Sequence, residues 1–404
     1  MTEPLYYQDP YLFEFQARIL RRLTGDQGYG LVLDRTAFYP GGGGQPPDRG
    51  AIEDLPLLAI TRDGDTPVHW VAQDPGKERV HCRVDALRRL DNMQQHTGQH
   101  LISACLLKVG GFETVSVHFG EQYTAVEIDR EAIAGEQIQQ AEALANRIVA
   151  EARLVETYWL SPEEIHRIPL RKKPPAREKI RIVEIDGLDW SACGGTHVRK
   201  TSEVGPVVFA GSEKIRGRMR LRWLIGDRVR AAYHRQREWL HQMSVQLTSA
   251  AEELPERIAR LLEERKALAR QVHFLNTRLG ELLADSLSSK AQPVGRWQLV
   301  HFNAGTEFGP DFLRPLMQRL IARPGLVAVL ACQNDAASAF WMVGASEDCR
   351  LDFARLLPPL LPIMGDARGG GRGTVWQGKC SGTPKLEAFV RALKARLSEG
   401  ESHG

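Results

Sequence analysis

From Met1 to about Leu90, short apolar runs such as GLVLDRTAFY, AIEDLPLLAI and TPVHWVAQ are separated by Gly, Asp and Pro turns. This pattern predicts strands and a small, barrel-like β domain. The period then changes. Between Asp91 and about Val109, the residues Met93, His96, His100, Leu101, Ala104 and Leu107 recur at spacings of three and four, which predicts a helix. FETVSVHFGEQYTAVEIDR alternates in twos and reads as paired strands, with Ser116 and His118 on one face and able to line a pocket. An amphipathic helix over Ala132 to Leu154 follows, then a strand near Ile180 to Ile185.

From about Asp227 to Ser286 the pattern is continuously helical, interrupted by Pro255. Leu261, Leu268, Leu275 and Leu282 recur every seven residues, with Ile258, Val272 and Leu279 at the companion position and Arg265 breaking it. Two arrangements fit: a hairpin with Leu240, Met243 and Leu247 packed on the second arm, or a coil between two copies of the chain. Beyond Gly295, strands (RWQLVHFNA, GLVAVLACQ, SAFWMVGA) alternate with helices (FLRPLMQRLI, DFARLLPPLL, LEAFVRALKARL) as in a compact α/β domain. The fold class is therefore α+β and multidomain, with divisions expected at 1–90, 91–226, 227–290 and 291–404.

A chain of 404 residues exceeds one ordinary core, in keeping with these divisions. Cys82, Cys105, Cys193, Cys332, Cys349 and Cys380 lack the paired spacing of a disulfide framework, so a reducing cytoplasm is expected. The N-terminal stretch has no basic region ahead of an apolar core, and no apolar run reaches membrane-spanning length. A net charge of +3 identifies no partner. Its distribution is more informative. IHRIPLRKKPPAREKIR carries Lys172, Lys173 and Arg177 among other cations, and KIRGRMRLRW carries Lys214, Arg216, Arg218, Arg220 and Arg222 at alternate positions. On one extended strand those last five would face the same way, a row of cations suited to a phosphate backbone.

Candidate chemistry sits in two places. His96 and His100 stand one helical turn apart, and Cys193 and His197 repeat that spacing around Gly194 and Gly195. Imidazole and thiolate in a reducing compartment suit Zn2+. An open fourth position would make the ion catalytic, a closed tetrahedron structural, and His197 is the ligand expected to step back. Near the N-terminus, YPGGGGQPPDRG places four glycines before Gln45, a loop able to approach a ligand through its own N–H groups. Near the other end, Gly369, Gly370 and Gly371 lie between Arg368 and Arg372, where nucleic-acid backbone could close in.

With FYPGGGGQP, QQHTGQH, CGGTH and a terminal GGGRG domain in this order, the chain resembles the long class of free-standing alanyl-tRNA editing proteins. These look like the editing and C-terminal halves of alanyl-tRNA synthetase. The resemblance implies hydrolysis of the ester joining serine or glycine to alanine tRNA, with His96, His100, Cys193 and His197 as the metal cluster. It further implies that Gln45 reaches the site, that Ser116 or His118 senses the substrate side chain, and that the terminal domain grips tRNA. A hydroxyl such as Ser116 left unpaired by alanine would cost about 1 to 3 kcal/mol, so glycine is expected to be a weaker substrate than serine. Three other readings compete with this one, among them a small-molecule metallohydrolase whose basic surface is incidental. The others are a tRNA-binding module with a structural zinc, and editing of the threonyl type.

Overall fold

The computed structural model describes residues 2–174, 178–334 and 337–399; Arg177 of the first basic stretch lies outside them. The chain divides into two compact units, 1–243 and 244–404.

In the first unit, alternating strands close a barrel. They are β1 (Glu14–Gly25), β2 (Gly28–Leu33), β3 (Gly50–Ile52), β4 (Leu55–Asp63), β5 (Thr66–Val71) and β6 (Arg79–Val84), joined in the order β1-β2-β5-β4-β3-β6. In β6 the period of two sends Val80, Cys82 and Val84 inward and leaves Arg79 and Arg83 exposed. Phe15, Leu31, Leu33, Phe38 and Val71 fill the interior with them.

His69 is fully buried in this barrel, with Nε2 3.0 Å from Thr36 Oγ1 and Nδ1 3.1 Å from the Leu31 carbonyl. Burial pushes its pKa from 6.5 down to about 4. Between those values the unfolded ring binds a proton that the folded ring refuses. The stabilisation is therefore complete above about pH 6.5 and is lost as pH falls toward 4. Urea midpoints should drop across that window, and drop less in His69→Gln. Equal drops would contradict this assignment.

The central helix, α1 (Ala86–Gly110), begins ahead of Asp91 because the Asp85 side chain caps it, accepting from Arg88 N at 3.1 Å. Gly111, at φ 67°, ends it. Its middle, from Gln95 to Leu106, is buried on every side. Around it lie β7 (Thr114–Phe119), β8 (Thr124–Ile128), α2 (Gly135–Ala150), β9 (Val155–Leu160), β10 (Ile180–Ile185), β11 (Asp189–Ala192), β12 (Val207–Ile215) and β13 (Arg218–Ile225). These strands form two antiparallel sheets, β12-β13-β8-β7 and β9-β10-β11. Met93, Leu101, Ile102, Val126, Ile148, Val183 and Trp223 share one core between them.

The basic row expected on a single strand is instead a hairpin. Arg216 and Gly217 take φ values of 48° and 74° and turn the chain, so that Ile215 pairs with Arg218. Lys214 and Arg216 are thereby separated from Arg218, Arg220 and Arg222. Arg220 is neutralised by Glu127 and Glu213.

The division between the units falls near the end of α3 (Asp227–Leu247). In the second unit, α4 (Leu254–Ser289) has Pro255 in its first turn, where a missing N–H costs nothing, so the helical run from Asp227 is broken just ahead of this proline, which starts the second helix. Leu240 and Met243 on α3, and Leu261, Leu268, Leu275 and Leu282 on α4, are exposed. Neither helix buries the heptad seam that the sequence suggested. Leu254 is buried at the start of α4, and toward its end Ala284 and Leu287 pack near Leu313, Leu316 and Leu320 of α5 (Pro310–Ile321).

β14 (Gln292–Val294), β15 (Trp297–Asn303), β16 (Leu326–Gln333), β17 (Ser338–Ala345), β18 (Arg368–Arg372) and β19 (Val375–Ser381) form a sheet in the order β14-β15-β16-β17-β19-β18. Its second face is covered by residues that include Phe389, Val390 and Leu393 of α6 (Leu386–Glu399). β18 is an exposed edge strand, yet two of its glycines are structural. A Cβ on Gly369 would lie 2.3 Å from the Gln377 carbonyl oxygen, and one on Gly371 would lie 2.1 Å from that of Val375. Gly370 alone of the three is open. Among the described residues, no helix is long and apolar enough to cross a membrane.

Candidate metal centre

α1 presents His96 and His100, and the loop after β11 brings Cys193 and His197 to them. The four donor atoms lie within 4.8 Å of one another. Cys193 Sγ is 3.2 Å from His96 Nε2 and 3.3 Å from His197 Nε2. The position of Cys193 follows from strand geometry. Its N–H donates to the Arg181 carbonyl at 3.0 Å, which continues the β10–β11 ladder, so Asp189, Ser191 and Cys193 share a face.

Each histidine is held by its other nitrogen. His96 Nδ1 donates to Gln45 Oε1 at 2.8 Å, and that oxygen also accepts from Thr196 N at 3.0 Å. Gln45 Nε2 donates to Thr196 Oγ1 at 2.9 Å, which fixes the amide. His100 Nδ1 donates to Asp189 Oδ2 at 3.2 Å, and Arg171 Nε braces Oδ1 of the same carboxylate at 2.8 Å. His197 Nδ1 lies 3.1 Å from Thr97 Oγ1. The three Nε2 atoms are thus left to converge with the sulfur. This is the two-layer arrangement by which proteins orient metal-bound imidazoles.

Charge agrees with geometry. Burial would raise the Cys193 thiol, but His96 and His197 outweigh it and hold the group well below its ordinary range, as thiolate. Burial drives His197 down to about 3. It also opposes charge on His100, yet the Asp189 hydrogen bond and the Cys193 sulfur raise that ring to about 9. The site is a thiolate among imidazoles with no room behind it. A Cβ on Gly195 would stand 2.1 Å from His96 Cε1.

The glycine loop closes one side. Gly41 to Gly44 all take positive φ, between 60° and 139°, conformations that only glycine adopts at low cost. Phe119 stands over His96, ring centroids 5.1 Å apart, and a Cβ on Gly44 would meet Phe119 at 3.3 Å.

Of the residues expected to act on substrate, Gln45 alone reaches the cluster, as expected, and it does so by holding a ligand ring. Gln45 is 3% exposed with both amide atoms engaged, so it positions His96 and cannot also contact a substrate. Ser116 and His118 point away. The β7–β8 register jumps from Glu127↔Ser116 to Ile128↔Thr114, leaving Val115 as a bulge, and Phe119 takes the inward face. Ser116 and His118 are exposed on the outer face, in cross-strand rows with Arg220 and Arg222. The hydroxyls beside the cluster are those of Thr97 and Thr196, both already bonded. Lys172, Lys173, Arg216, Arg218, Arg368 and Arg372 are exposed, and Arg222 stacks over Tyr123 at 5.5 Å.

The sequence did not mark Asp189 or Phe119, and Arg171 stood out only as one cation of the basic stretch, with nothing to tie it to the metal centre. Asp189 had a signal, since it precedes Cys193 by four residues on an alternating strand. Arg171 had none, because its contact closes only when the chain folds back.

Residues 180–221 match the family described as the threonyl and alanyl tRNA synthetase second additional domain. That segment carries Arg181, Asp189, Cys193 and His197. The chain is 33% identical to the alanine–tRNA ligase of Pyrococcus abyssi over 97% of its own length and 43% of that protein's, so it spans less than half of this relative. It is 29% identical to the alanyl-tRNA editing protein AlaX-L of Pyrococcus horikoshii, across 98% of each chain. Its identity to the alanyl-tRNA editing protein Aarsd1-A of Xenopus laevis is 30%, over 88% of this chain and 85% of that one. On this nearly end-to-end match, the chain belongs to the alanyl-tRNA editing protein family.

Proposed function

We propose that the protein is a hydrolase that releases serine, and more slowly glycine, from mischarged alanine tRNA at a zinc centre held by His96, His100, Cys193 and His197. The observation that carries this reading is the convergence of four donor atoms within 4.8 Å, every histidine fixed by a second partner. Three imidazoles and one thiolate are a donor set that suits zinc. When bound, the ion would polarise the ester carbonyl or a water as a Lewis acid. The chain's own part is orientation: Gln45 fixes the His96 ring, Thr97 that of His197, and the Asp189–Arg171 pair that of His100. Phe119 and the glycine loop shield the centre from bulk water.

tRNA is the substrate suited to the exposed cations Lys172, Lys173, Arg216 and Arg218 of the first unit, with the half-buried Arg222 beside them. Arg368, Arg372 and the open backbone at Gly370 are the corresponding elements of the second. The exposed leucines of α4 support self-association through that helix. All six cysteines are free, which supports a reducing, cytoplasmic setting.

The test is deacylation of alanine tRNA charged with serine, glycine or alanine. Release of serine fastest and alanine slowest is expected. Binding of tRNA without release of any amino acid would leave only a binding module with a structural ion, a reading to which four closed ligands also lend weight. A second test uses Gly195→Ala. The added methyl must displace the His96 ring, so zinc affinity measured against a chromogenic chelator should fall by about tenfold or more while the far-ultraviolet circular dichroism stays unchanged. Unaltered zinc affinity would count against the assigned geometry.

A further inference from the structure

The sheet β9-β10-β11 carries a row that leads away from the metal centre. Trp159 pairs with Arg181 across β9 and β10, and Arg181 is in turn the ladder partner of Cys193. These residues lie on the face that also bears Asp189 and Ser191. Adjacent strands are about 4.8 Å apart, so Trp159 stands about 10 Å from Cys193 across the sheet.

Each member of the row has a feature that packing alone does not require. Arg181 is only 6% exposed, and no described carboxylate forms an ion pair with it. Its Nη1 donates to the carbonyls of Cys193 at 3.0 Å and Gly195 at 2.8 Å, tying the guanidinium to the ligand loop. Tyr7 lies under it, 4.9 Å from ring centroid to guanidinium carbon. The Tyr7 hydroxyl reaches the centre's rim, where a Cβ on Gly194 would come within 3.4 Å of it. Trp159 meets the Tyr7 ring edge-on at 5.7 Å and 86°, and is itself 50% exposed. An indole left half in water beside a buried, carboxylate-free cation is an arrangement that suits a base with a phosphate attached.

We infer that Trp159, Tyr7 and Arg181 form the subsite for the 3′-terminal nucleotide of the acylated RNA, its base against Trp159 and Tyr7 and its phosphate toward Arg181. The inference rests on the editing reading above and deepens it. The ester lies at the metal end of the row and the base at the Trp159 end, with the ribose spanning Arg181. The row would thereby hold the ester carbonyl at a fixed distance from the centre, whatever amino acid it carries. Recognition through the nucleotide is then common to correct and incorrect substrates.

Binding separates this subsite from the chemistry. Fluorescence anisotropy of the full-length, zinc-loaded protein would compare uncharged alanine tRNA with the same tRNA lacking its terminal adenosine. Wild type should bind the shortened tRNA about tenfold more weakly, the usual effect of one stacked base. Trp159→Ala should bind both forms at that weaker level and raise KM for seryl-tRNA, and Trp159→Phe should restore much of the difference. Because Trp159 is half exposed, its replacement leaves the core intact. A Trp159→Ala protein that keeps the wild-type preference for the intact end would overturn the subsite. If wild type hydrolyses seryl-tRNA in the same preparation, the editing reading survives that result. Conversely, absence of hydrolysis with a Trp159-dependent preference would overturn the editing reading and leave a terminal-nucleotide binding site.

Discussion

Cys193→Ala should lose its metal and its deacylase activity together. The sulfur is the only anionic donor of the cluster, and two imidazole nitrogens lie within 3.3 Å of it. Without it, three neutral rings must hold a dication in a buried site with reduced compensation, and the fourth vertex of the tetrahedron is empty. Even second-layer changes around metal sites cost about 10- to 100-fold. Removal of a ligand should exceed that range, so zinc content after dialysis should fall toward zero and seryl-tRNA deacylation by more than about a hundredfold. Cys193 contributes little to the core, so the fold should persist. Full activity in a metal-free Cys193→Ala protein would show that the chemistry lies elsewhere.

Asp48→Ala should produce the largest loss of stability. Arg89, in the first turn of α1, is 0% exposed, and Asp48 follows the glycine loop with 5% exposure. The guanidinium grips the carboxylate through Nε, 3.0 Å from both oxygens, and through Nη2. It also donates to the Pro10 carbonyl at 2.8 Å and to that of Ala37 at 2.5 Å. Asp48 Oδ2 accepts from Tyr39 N at 2.6 Å as well, so one ion pair joins the barrel, the glycine loop and the central helix. Removing the carboxylate strands a buried cation, which typically costs 3–5 kcal/mol, or about that much here. Because the loop that carries Gln45 hangs from this pair, zinc affinity should fall too. Urea unfolding measures the first effect, and the double variant Asp48→Ala/Arg89→Met should recover part of it. A single variant as stable as wild type would contradict the pairing.

How much of this was legible in the chain differs from element to element. The metal quartet was, because two four-residue spacings encode geometry directly. So was the strand character of the N-terminal region, since alternation in β6 is a local property. That Ser116 and His118 share a face was legible from alternation, but which face was not, because a single bulged residue, Val115, exchanges the two faces of β7, and no periodicity reports one extra residue. The basic hairpin was within reach. Gly217 sits in the middle of KIRGRMR, and a glycine between two alternating runs is a turn signal that five cations obscured. The pairings of Gln45 with His96, Arg89 with Asp48 and Arg171 with Asp189 join residues far apart in sequence, and nothing local to either partner announces them. The exposed leucines of α4 illustrate the opposite limit. A heptad states that a seam exists without stating what covers it.

The most direct test titrates zinc into metal-free wild-type protein and follows release of serine from seryl-tRNA bearing alanine identity. A zinc-dependent editing centre built from this quartet gives activity that rises in proportion to bound metal and stops at one ion per chain. Tight uptake of one zinc with no release of serine at any loading would contradict it, and would leave the centre as a structural pin in an RNA-binding protein.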